Sequence, residues 1–387
     1  MRPLVITAFS LCNAMGMDTS SVLAALAAGE SGLGPCPSEL GVEAAVGALP
    51  SPPEPLPRAL ADRDTRLTRI LVAGLMGMTK AIAEVRKRYG AQRVGIVLGT
   101  STGGIGDTEF AHAYMREHGS FPANFSMSRS HALDSALAVV RDLVGVGGPA
   151  YVVSSACSSS AKVLASAHRL VAAGMCDAVI AGGVDSLCQL TLRGFAGLGL
   201  LSRDPCRPFG AQRNGINIGE GAALLVVARE GDGPGRLLGV GESSDAYHMT
   251  SPHPEGIGAR LAMNRALAAA GVCASAVDHV NAHATGTRQN DLVEGQAIAD
   301  LFGATPVIAT KGYTGHLLGA AGATEILFSL AAITSKTLPA CVGSSPIDPA
   351  IPIRVPLVAT EHASSIALSN SFAFGGSNVS VLIGGPA

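Results

Sequence analysis

The 387-residue sequence contains no tryptophan, and only 4% of its residues are aromatic and 14% are charged. The formal net charge is −2, which argues against nucleic acid or a membrane surface as a partner held by bulk charge. No stretch reaches the roughly 18 uninterrupted apolar residues of a membrane span, so none is predicted. The apolar run at residues 4–9 lacks the features of a secretion signal and is typical of a first strand.

The eight cysteines include no CxxC pair. In a chain of this length without a signal sequence, they are expected to be reduced thiols in the cytoplasm. His279 and His283 lie four residues apart, but no cysteine or carboxylate completes a zinc ligand set there. The sequence therefore predicts no metal site.

Small residues are abundant: there are 48 glycines, and the apolar 48% of the chain is mostly alanine and valine. Small side chains allow helices to pack closely on a sheet. Apolar runs at 94–99, 176–181 and 222–228 alternate with helix-like segments such as 158–173 and 320–335. This alternation predicts an α/β fold whose sheet is covered on both faces.

A glycine turn that leads into an apolar strand occurs twice, at 219–227 and at 375–383, and indicates an internal duplication. A glycine-rich junction lies between the two copies. We therefore expect two similar halves, residues 1–234 and 235–387. Seven prolines in residues 35–58 predict a surface excursion from the first half.

Three segments rich in glycine, alanine and serine carry Cys157, His283 and His316. Cys157 follows a predicted strand and precedes a predicted helix, whose N-terminus favours the thiolate. Both histidines stand at glycine turns near strand ends, where α/β sheets present catalytic groups. The set predicts a nucleophile for a carbonyl carbon, with imidazoles that polarise a carbonyl or stabilise an enolate. Lys311 and Glu325 flank His316 and are expected to form a buried ion pair beside it.

These segments, with others along nearly the whole chain, resemble the elongating Cys-His-His type of β-ketoacyl-acyl-carrier-protein synthase, which has the thiolase fold. Further motifs that carry the resemblance are Ala181-Gly182-Gly183, Arg207-Pro208-Phe209, Gly219-Glu220-Gly221-Ala222 and Asn370-Ser371-Phe372-Ala373-Phe374-Gly375-Gly376-Ser377-Asn378. The fold that the resemblance implies has two similar mixed-sheet α/β halves in a layered α-β-α-β-α arrangement.

The resemblance implies a decarboxylative Claisen condensation, in fatty acid or related polyketide or polyene chain elongation. Cys157 would hold the acyl chain as a thioester, while His283 and His316 would assist decarboxylation of malonyl-acyl carrier protein. The amides of Cys157 and Phe374 would form the oxyanion hole. Substrate contacts are implied for Thr285, Thr287, Phe372, Phe374 and Thr108. No cofactor is implied, because the substrates are carried on the phosphopantetheine of acyl carrier protein.

The sequence departs from the family pattern at Ala284 and Ala373, where glycine is usual. The polar pair Asp107 and Thr108 stands where the resemblance places the wall of the acyl pocket. Polar groups there would suit a saturated chain poorly. An unsaturated, aryl-primed or polyketide chain is therefore an alternative to ordinary fatty acid elongation.

Acyl carrier protein is acidic, so a basic patch is expected to receive it. Arg63, Arg66 and Arg69 have the three-residue spacing of one helix side and are predicted to belong to that patch. The family implies a dimer, of two identical chains or of this chain with a similar subunit.

Two other functions are weighed against the condensing enzyme. A non-catalytic partner subunit of the chain-length-factor type would lack the nucleophile that Cys157 supplies. A thiolase would use a second cysteine near the C-terminus, where this sequence has Phe372-Ala373-Phe374-Gly375-Gly376.

Overall fold

The chain alternates between strands and helices, and a computed structural model describes residues 1–386. The strands are β1 (Leu4–Asn13), β2 (Gly34–Pro35), β3 (Ala45–Gly47), β4 (Val94–Gly99), β5 (Ala150–Val153), β6 (Ala178–Asp185), β7 (Ile218–Gly219), β8 (Gly221–Ala228), β9 (Gly235–Ser244), β10 (His279–Asn281), β11 (Val307–Ile308), β12 (Thr337–Leu338), β13 (Thr360–Glu361), β14 (Ile366–Ala373) and β15 (Ser377–Gly384). The α-helices are α1 (Thr19–Ala28), α2 (Arg66–Met76), α3 (Thr79–Tyr89), α4 (Ile105–His118), α5 (Ser135–Val144), α6 (Ser159–Ala172), α7 (Gln189–Gly197), α8 (Ile257–Ala270), α9 (Arg288–Phe302), α10 (Lys311–Thr314) and α11 (Ala321–Ser335).

Ten strands form one mixed sheet in the order β11-β10-β14-β15-β9-β1-β8-β6-β4-β5. In the first half, β4 pairs in parallel with β5 and β6, and β8 is antiparallel to β6 and β1. The second half repeats this pattern, since β10 is parallel to β11 and β14, and β15 is antiparallel to β14 and β9. Antiparallel pairing of β1 with β9 joins the halves. The repetition supports our proposal that the chain divides near residue 234.

Helices α6 and α11 occupy the central layer. Their side chains, such as Leu164 and Leu327, share one buried cluster with residues of both half-sheets, such as Val179 and Val381. The opposite face of the first half packs against α2, α3 and α5. The opposite face of the second half packs against α8 and α9. The fold is thus the expected layered α-β-α-β-α arrangement of the thiolase type.

Small residues allow the central helices to approach closely. A Cβ added at Gly322 in α11 would lie 2.9 Å from the Cβ of Ala161 in α6. The segment Leu318–Ser335 is long and apolar enough to cross a membrane, but 83% of it is buried inside the fold. Its apolar character is therefore explained by its place in the central layer.

Strong apolar patterns were sufficient to predict the central elements. The predictions for 94–99, 222–228, 158–173 and 320–335 are confirmed by β4, β8, α6 and α11 to within two residues at each end. Helices α4 and α7 were not predicted, because each buries a single residue and so lacks an apolar stripe. Strand β9 was also missed, because its glycines interrupt the apolar pattern.

The prediction of a surface excursion at 35–58 is wrong for residues 44–47. These four residues are buried, and β3 pairs in parallel with β7. A Cβ added at Gly47 would lie 1.9 Å from the carbonyl oxygen of Thr314, so β3 packs directly against the chain that leads to His316. The surrounding prolines concealed this short buried strand.

We expect Leu327→Ala in α11 to lower the free energy of unfolding by about 2–5 kcal/mol, because it leaves a cavity in the central layer. Leu261 on α8 is 39% exposed, so Leu261→Ala is the control and should cost about 1 kcal/mol or less. Urea unfolding followed by circular dichroism measures both variants. Equal losses would contradict the central position of α11.

Candidate active site

Cys157 lies in a sharp turn between β5 and α6. The turn depends on Ala156, whose backbone is left-handed with a φ of +49°. The Ser101 hydroxyl donates a hydrogen bond of 3.0 Å to the Ala156 carbonyl and so braces this conformation. The cysteine side chain is buried but lines a cavity. The turn thus presents the thiol to a ligand while the surrounding chain shields it from bulk water.

His283 follows β10, and His316 follows the single-turn helix α10. Their rings stand edge to face, with centroids 5.3 Å apart. The Cys157 sulfur and one ring nitrogen of each histidine lie within 4.8 Å of one another. The structure therefore brings Cys157 together with two histidines that lie more than 100 positions further along the sequence, as the chemistry requires.

Lys311 is buried beneath the histidines and forms an ion pair with Glu325. Its ammonium also donates to the His283 carbonyl oxygen and, at 3.3 Å, to His283 Nδ1. Lysine has donors only, so Nδ1 must be the acceptor. Neutral His283 therefore carries its proton on Nε2.

Both histidines are neutral near pH 7. Burial and the Lys311 ammonium lower the pKa of His283 and of His316 well below the usual value. The ring of His316 has no hydrogen-bond partner at either nitrogen within residues 1–386. Two uncharged imidazoles, one with a fixed Nε2–H donor, can polarise a carbonyl or accept a thiol proton.

Burial raises the pKa of the Cys157 thiol to about 11. The backbone N–H of Phe374, the Lys311 charge and the N–H of Cys157 act in the opposite direction. These are the two amides predicted to form the oxyanion hole for a bound thioester, and that role stays a prediction. The resting thiol is protonated, so it needs a base to become a nucleophile.

Glu294 on α9 is a functional residue that the sequence did not reveal. Its buried carboxylate accepts from the His283 and Ala284 amides, each at 2.7 Å. Ala284 is left-handed with a φ of +37°, so this grip holds a strained backbone beside the histidine. No local pattern in the sequence singles out Glu294, because its burial against the His283 segment is a feature of the fold.

The cavity beside these groups has a volume of about 560 Å³. Thr285, Thr287, Phe372 and Phe374 line it, as the family resemblance implies for substrate contacts. The two threonine hydroxyls are 2.9 Å apart. Half-buried Phe374 packs against Phe195 with ring centroids 5.5 Å apart, which closes one side of the cavity.

Two family models match the chain. The model for the beta-ketoacyl synthase N-terminal domain matches residues 1–232, and the model for the C-terminal domain matches residues 235–345. The chain belongs to the β-ketoacyl synthase family. The resemblance noted in the sequence is thereby confirmed.

Several relatives of this synthase are similar over most of their length. Nodulation protein E of Rhizobium meliloti (strain 1021) is 33% identical over 97% of this chain and 98% of that protein. The 3-oxoacyl-[acyl-carrier-protein] synthase 2 of the same strain is 34% identical over 75% of this chain and 73% of that protein. This synthase is therefore an acyltransferase of the condensing type.

Solved structures agree with the fold. A chain in the complex of a ketosynthase with its chain length factor from Xenorhabdus doucetiae matches with a TM-score of 0.94 and 36% identity, covering 99% of this chain and 98% of that chain. A chain of the ishigamide ketosynthase/chain length factor matches with a TM-score of 0.91 and 27% identity, covering 99% of each chain.

Thr108 does not line the cavity of the synthase, although a substrate contact was predicted for it. Its hydroxyl bonds the Gly104 carbonyl and His131 Nδ1, both at 2.9 Å. The hydroxyl is thus satisfied within the first turn of α4 and its neighbouring segment. Thr108 therefore does not support the argument that polar groups in the acyl pocket disfavour a saturated chain.

The three arginines of the predicted carrier-protein patch all form ion pairs. Each guanidinium is paired with a carboxylate: Arg63 with Asp142, Arg66 with Glu220 and Arg69 with Asp64. Arg63 also precedes α2 instead of lying on it. The pairing offsets part of their charge, but their side chains stay 26%, 43% and 34% exposed, so the docking role of these arginines stays a prediction.

The three donor atoms of Cys157, His283 and His316 are close enough to suggest a metal site. A metal would need the lone pair of His283 Nε2, but Lys311 holds Nδ1 as an acceptor and leaves the proton on Nε2. The donor set is therefore poorly suited to a metal and well suited to a thioester.

Because burial raises the pKa of Cys157 to about 11, its alkylation by iodoacetamide should keep rising up to at least about pH 9.5, roughly tenfold per pH unit. Exposed Cys273, whose pKa is lowered by a hydrogen bond to Ser275, is the internal control and should level off at lower pH. Peptide mapping by mass spectrometry separates the two sites. A plateau for Cys157 near pH 7 would contradict a protonated resting thiol.

We expect Arg66→Met to lower the free energy of unfolding by about 1–3 kcal/mol, because it leaves the Glu220 carboxylate buried without its ion pair. The Glu220 side chain is 0% exposed, whereas the Asp142 partner of Arg63 is 53% exposed. Arg63→Met is therefore the matched control, with a loss within about 0.5 kcal/mol. Thermal unfolding compares the two, and a selective rise in KM for a carrier-protein substrate without lost stability would contradict this structural role and favour the docking role.

Proposed function

We propose that this synthase condenses malonyl-acyl carrier protein with an acyl chain held as a thioester on Cys157. The supporting observation is the buried cluster of one thiol and two neutral imidazoles, with the Phe374 amide directed at the sulfur. Such a cluster can hold an acyl group covalently and then stabilise an enolate beside it.

In the first half-reaction, a neutral imidazole accepts the Cys157 proton while the sulfur attacks the thioester carbonyl of the acyl carrier protein. The bond from that carbonyl carbon to the carrier sulfur breaks, and the carrier thiol leaves with the proton. The amides of Cys157 and Phe374 hold the oxyanion that forms in between. Because the thiol is protonated at rest, this proton transfer is part of the chemical step.

In the second half-reaction, malonyl-carrier protein enters and its carboxylate leaves as CO2. The electron pair of the broken carbon–carbon bond becomes an enolate, which the Nε2–H of His283 and the ring of His316 stabilise. The enolate carbon attacks the acyl carbonyl, the new carbon–carbon bond forms, and the bond to Cys157 breaks. The β-ketoacyl product stays on the carrier, and the Cys157 thiolate regains a proton from solvent.

The remaining predicted residues have supporting roles in this proposal. Lys311 and Glu325 set the charge and the tautomer of His283. Thr285 and Thr287 bind the phosphopantetheine arm as it passes along the cavity, and Phe374 gates the acyl side together with Phe372. No separate cofactor takes part, because carrier protein supplies both substrates.

We also propose that the synthase works as a dimer, with an identical chain or a similar subunit of the chain-length-factor type. The supporting feature is β5, which forms one edge of the sheet directly before the nucleophile segment. Tyr151 in that strand is 37% exposed, as expected for a surface available to a second subunit.

Intact-mass analysis tests the function. The wild type, Cys157→Ala and the control Cys273→Ala are mixed with a panel of acyl-carrier proteins that bear saturated, unsaturated and aryl chains. We expect one class of chain to load on the wild type and on Cys273→Ala but not on Cys157→Ala. Added malonyl-carrier protein should then discharge the enzyme and give a β-ketoacyl-carrier product with release of CO2.

The identity of the loaded chain distinguishes fatty acid elongation from polyketide or aryl-primed elongation. Failure of every donor to load the wild type would contradict the proposal and favour a non-catalytic partner subunit. Loading of Cys157→Ala to the same extent as the wild type would contradict the role of the thiol.

A further inference from the structure

Asp185 is a fully buried carboxylate at the end of β6, outside the cavity. It binds the turn that follows β4. The hydroxyls of Thr100 and Thr102 donate to it at 2.6 and 2.7 Å, and the amides of Ser101 and Thr102 donate at 2.9 Å. The carboxylate therefore holds three successive residues of this turn, two of them by their backbone amides.

The same carboxylate holds a loop from the other half of the chain. The Gly319 amide donates to it at 2.5 Å, three residues after His316. The approach is close, since a Cβ added at Gly319 would lie 2.6 Å from a carboxylate oxygen of Asp185. One side chain of the first half thus anchors the loop that carries a histidine of the second half.

The turn that Asp185 binds also contacts the residue before the nucleophile Cys157. Ser101 donates its amide to Asp185 and its hydroxyl to the carbonyl of Ala156. Ala156 precedes Cys157 in a left-handed conformation, which is strained for a non-glycine residue and persists only where neighbours enforce it. Asp185 therefore acts on Cys157 through Ser101 and Ala156.

We propose that Asp185 is a positioning residue that sets the distance between Cys157 and His316. It holds Ser101, which bonds to Ala156, and at the same time it holds the loop that carries His316. It touches neither substrate nor the reacting atoms. A carboxylate is needed because it accepts at both oxygens, whereas asparagine would turn an NH2 group toward one set of donors. The effects expected on condensation, acyl loading and CO2 release rest on the proposed function.

The first test compares Asp185→Asn with Asp177→Asn. Asp177 immediately precedes the opposite end of β6, is also buried and pairs with Arg93 far from the cavity. We expect Asp185→Asn to lower kcat for condensation by about tenfold or more while KM for malonyl-carrier protein stays within about twofold, because misplacement affects the chemical step. Asp177→Asn should keep kcat within about twofold of the wild type.

A second variant, Ser101→Ala, separates positioning from folding. It removes the bond to Ala156 and leaves the Asp185 bonds to the Ser101 amide, Thr102 and Gly319 in place. We expect it to slow both acyl loading and iodoacetamide alkylation of Cys157 by about three- to tenfold, because the sulfur moves away from the amides that stabilise the thiolate. Release of CO2 from malonyl-carrier protein, which depends on the histidines, should stay within about twofold of the wild-type rate.

Alkylation needs no carrier substrate, so it tests the positioning role even if the wild type condenses nothing, and that failure would count against the proposed function alone. Equal kcat for Asp185→Asn and Asp177→Asn would overturn the proposal. Wild-type alkylation by Ser101→Ala would overturn it as well. If Asp185→Asn does not fold, Ser101→Ala decides the question by itself.

Discussion

The buried ammonium of Lys311 sets the charge balance on which the site depends. An unpaired charge in this environment would be costly, and the ion pair with Glu325 offsets that cost. Burial raises the pKa of Glu325 and of Glu294 to about 7 each, although Lys311 opposes the shift at both. Burial first, and the lysine charge second, lower the pKa of both histidines and keep them neutral, and the lysine fixes the tautomer of His283. Near neutral pH both imidazoles therefore stay uncharged.

Backbone geometry, in addition to charge, positions the reacting groups of the site. Ala156 and Ala284 both take left-handed conformations beside catalytic groups, and each is held by a neighbour instead of by glycine's freedom. The Ser101 hydroxyl braces the first, and the Glu294 carboxylate binds the amide of the second. The many small residues of the sequence allow such close contacts, as they do between α6 and α11. The scarcity of charged and aromatic residues therefore reflects how much of this chain is packed against itself.

Much of the fold and the reacting groups could be predicted from the sequence, because they depend on local patterns. The apolar runs of β4 and β8 are continuous, α6 and α11 are long helices rich in small and apolar residues, and the segments around Cys157, His283 and His316 are distinctive. Residues that act across the fold were harder to assign. Glu294 and Asp185 were missed, since a carboxylate buried by a distant loop looks in sequence like one exposed to water. For the same reason the sequence does not reveal that Arg66, which is 43% exposed, pairs with buried Glu220 154 positions away.

The repeated strand order explains why the two halves contribute different chemistry at equivalent places. Among the strands of the ten-stranded sheet, counted in chain order, Cys157 follows the third strand of the first half, β5. The Lys311–His316 segment follows the third strand of the second half, β11. His283 follows the second strand, β10, just as the turn held by Asp185 follows β4. Asp185 itself ends β6, and the Phe374 gate follows the equivalent strand, β14. One half thus supplies the nucleophile and a rigid support, while the other supplies the imidazoles and the gate, so neither half holds a complete site.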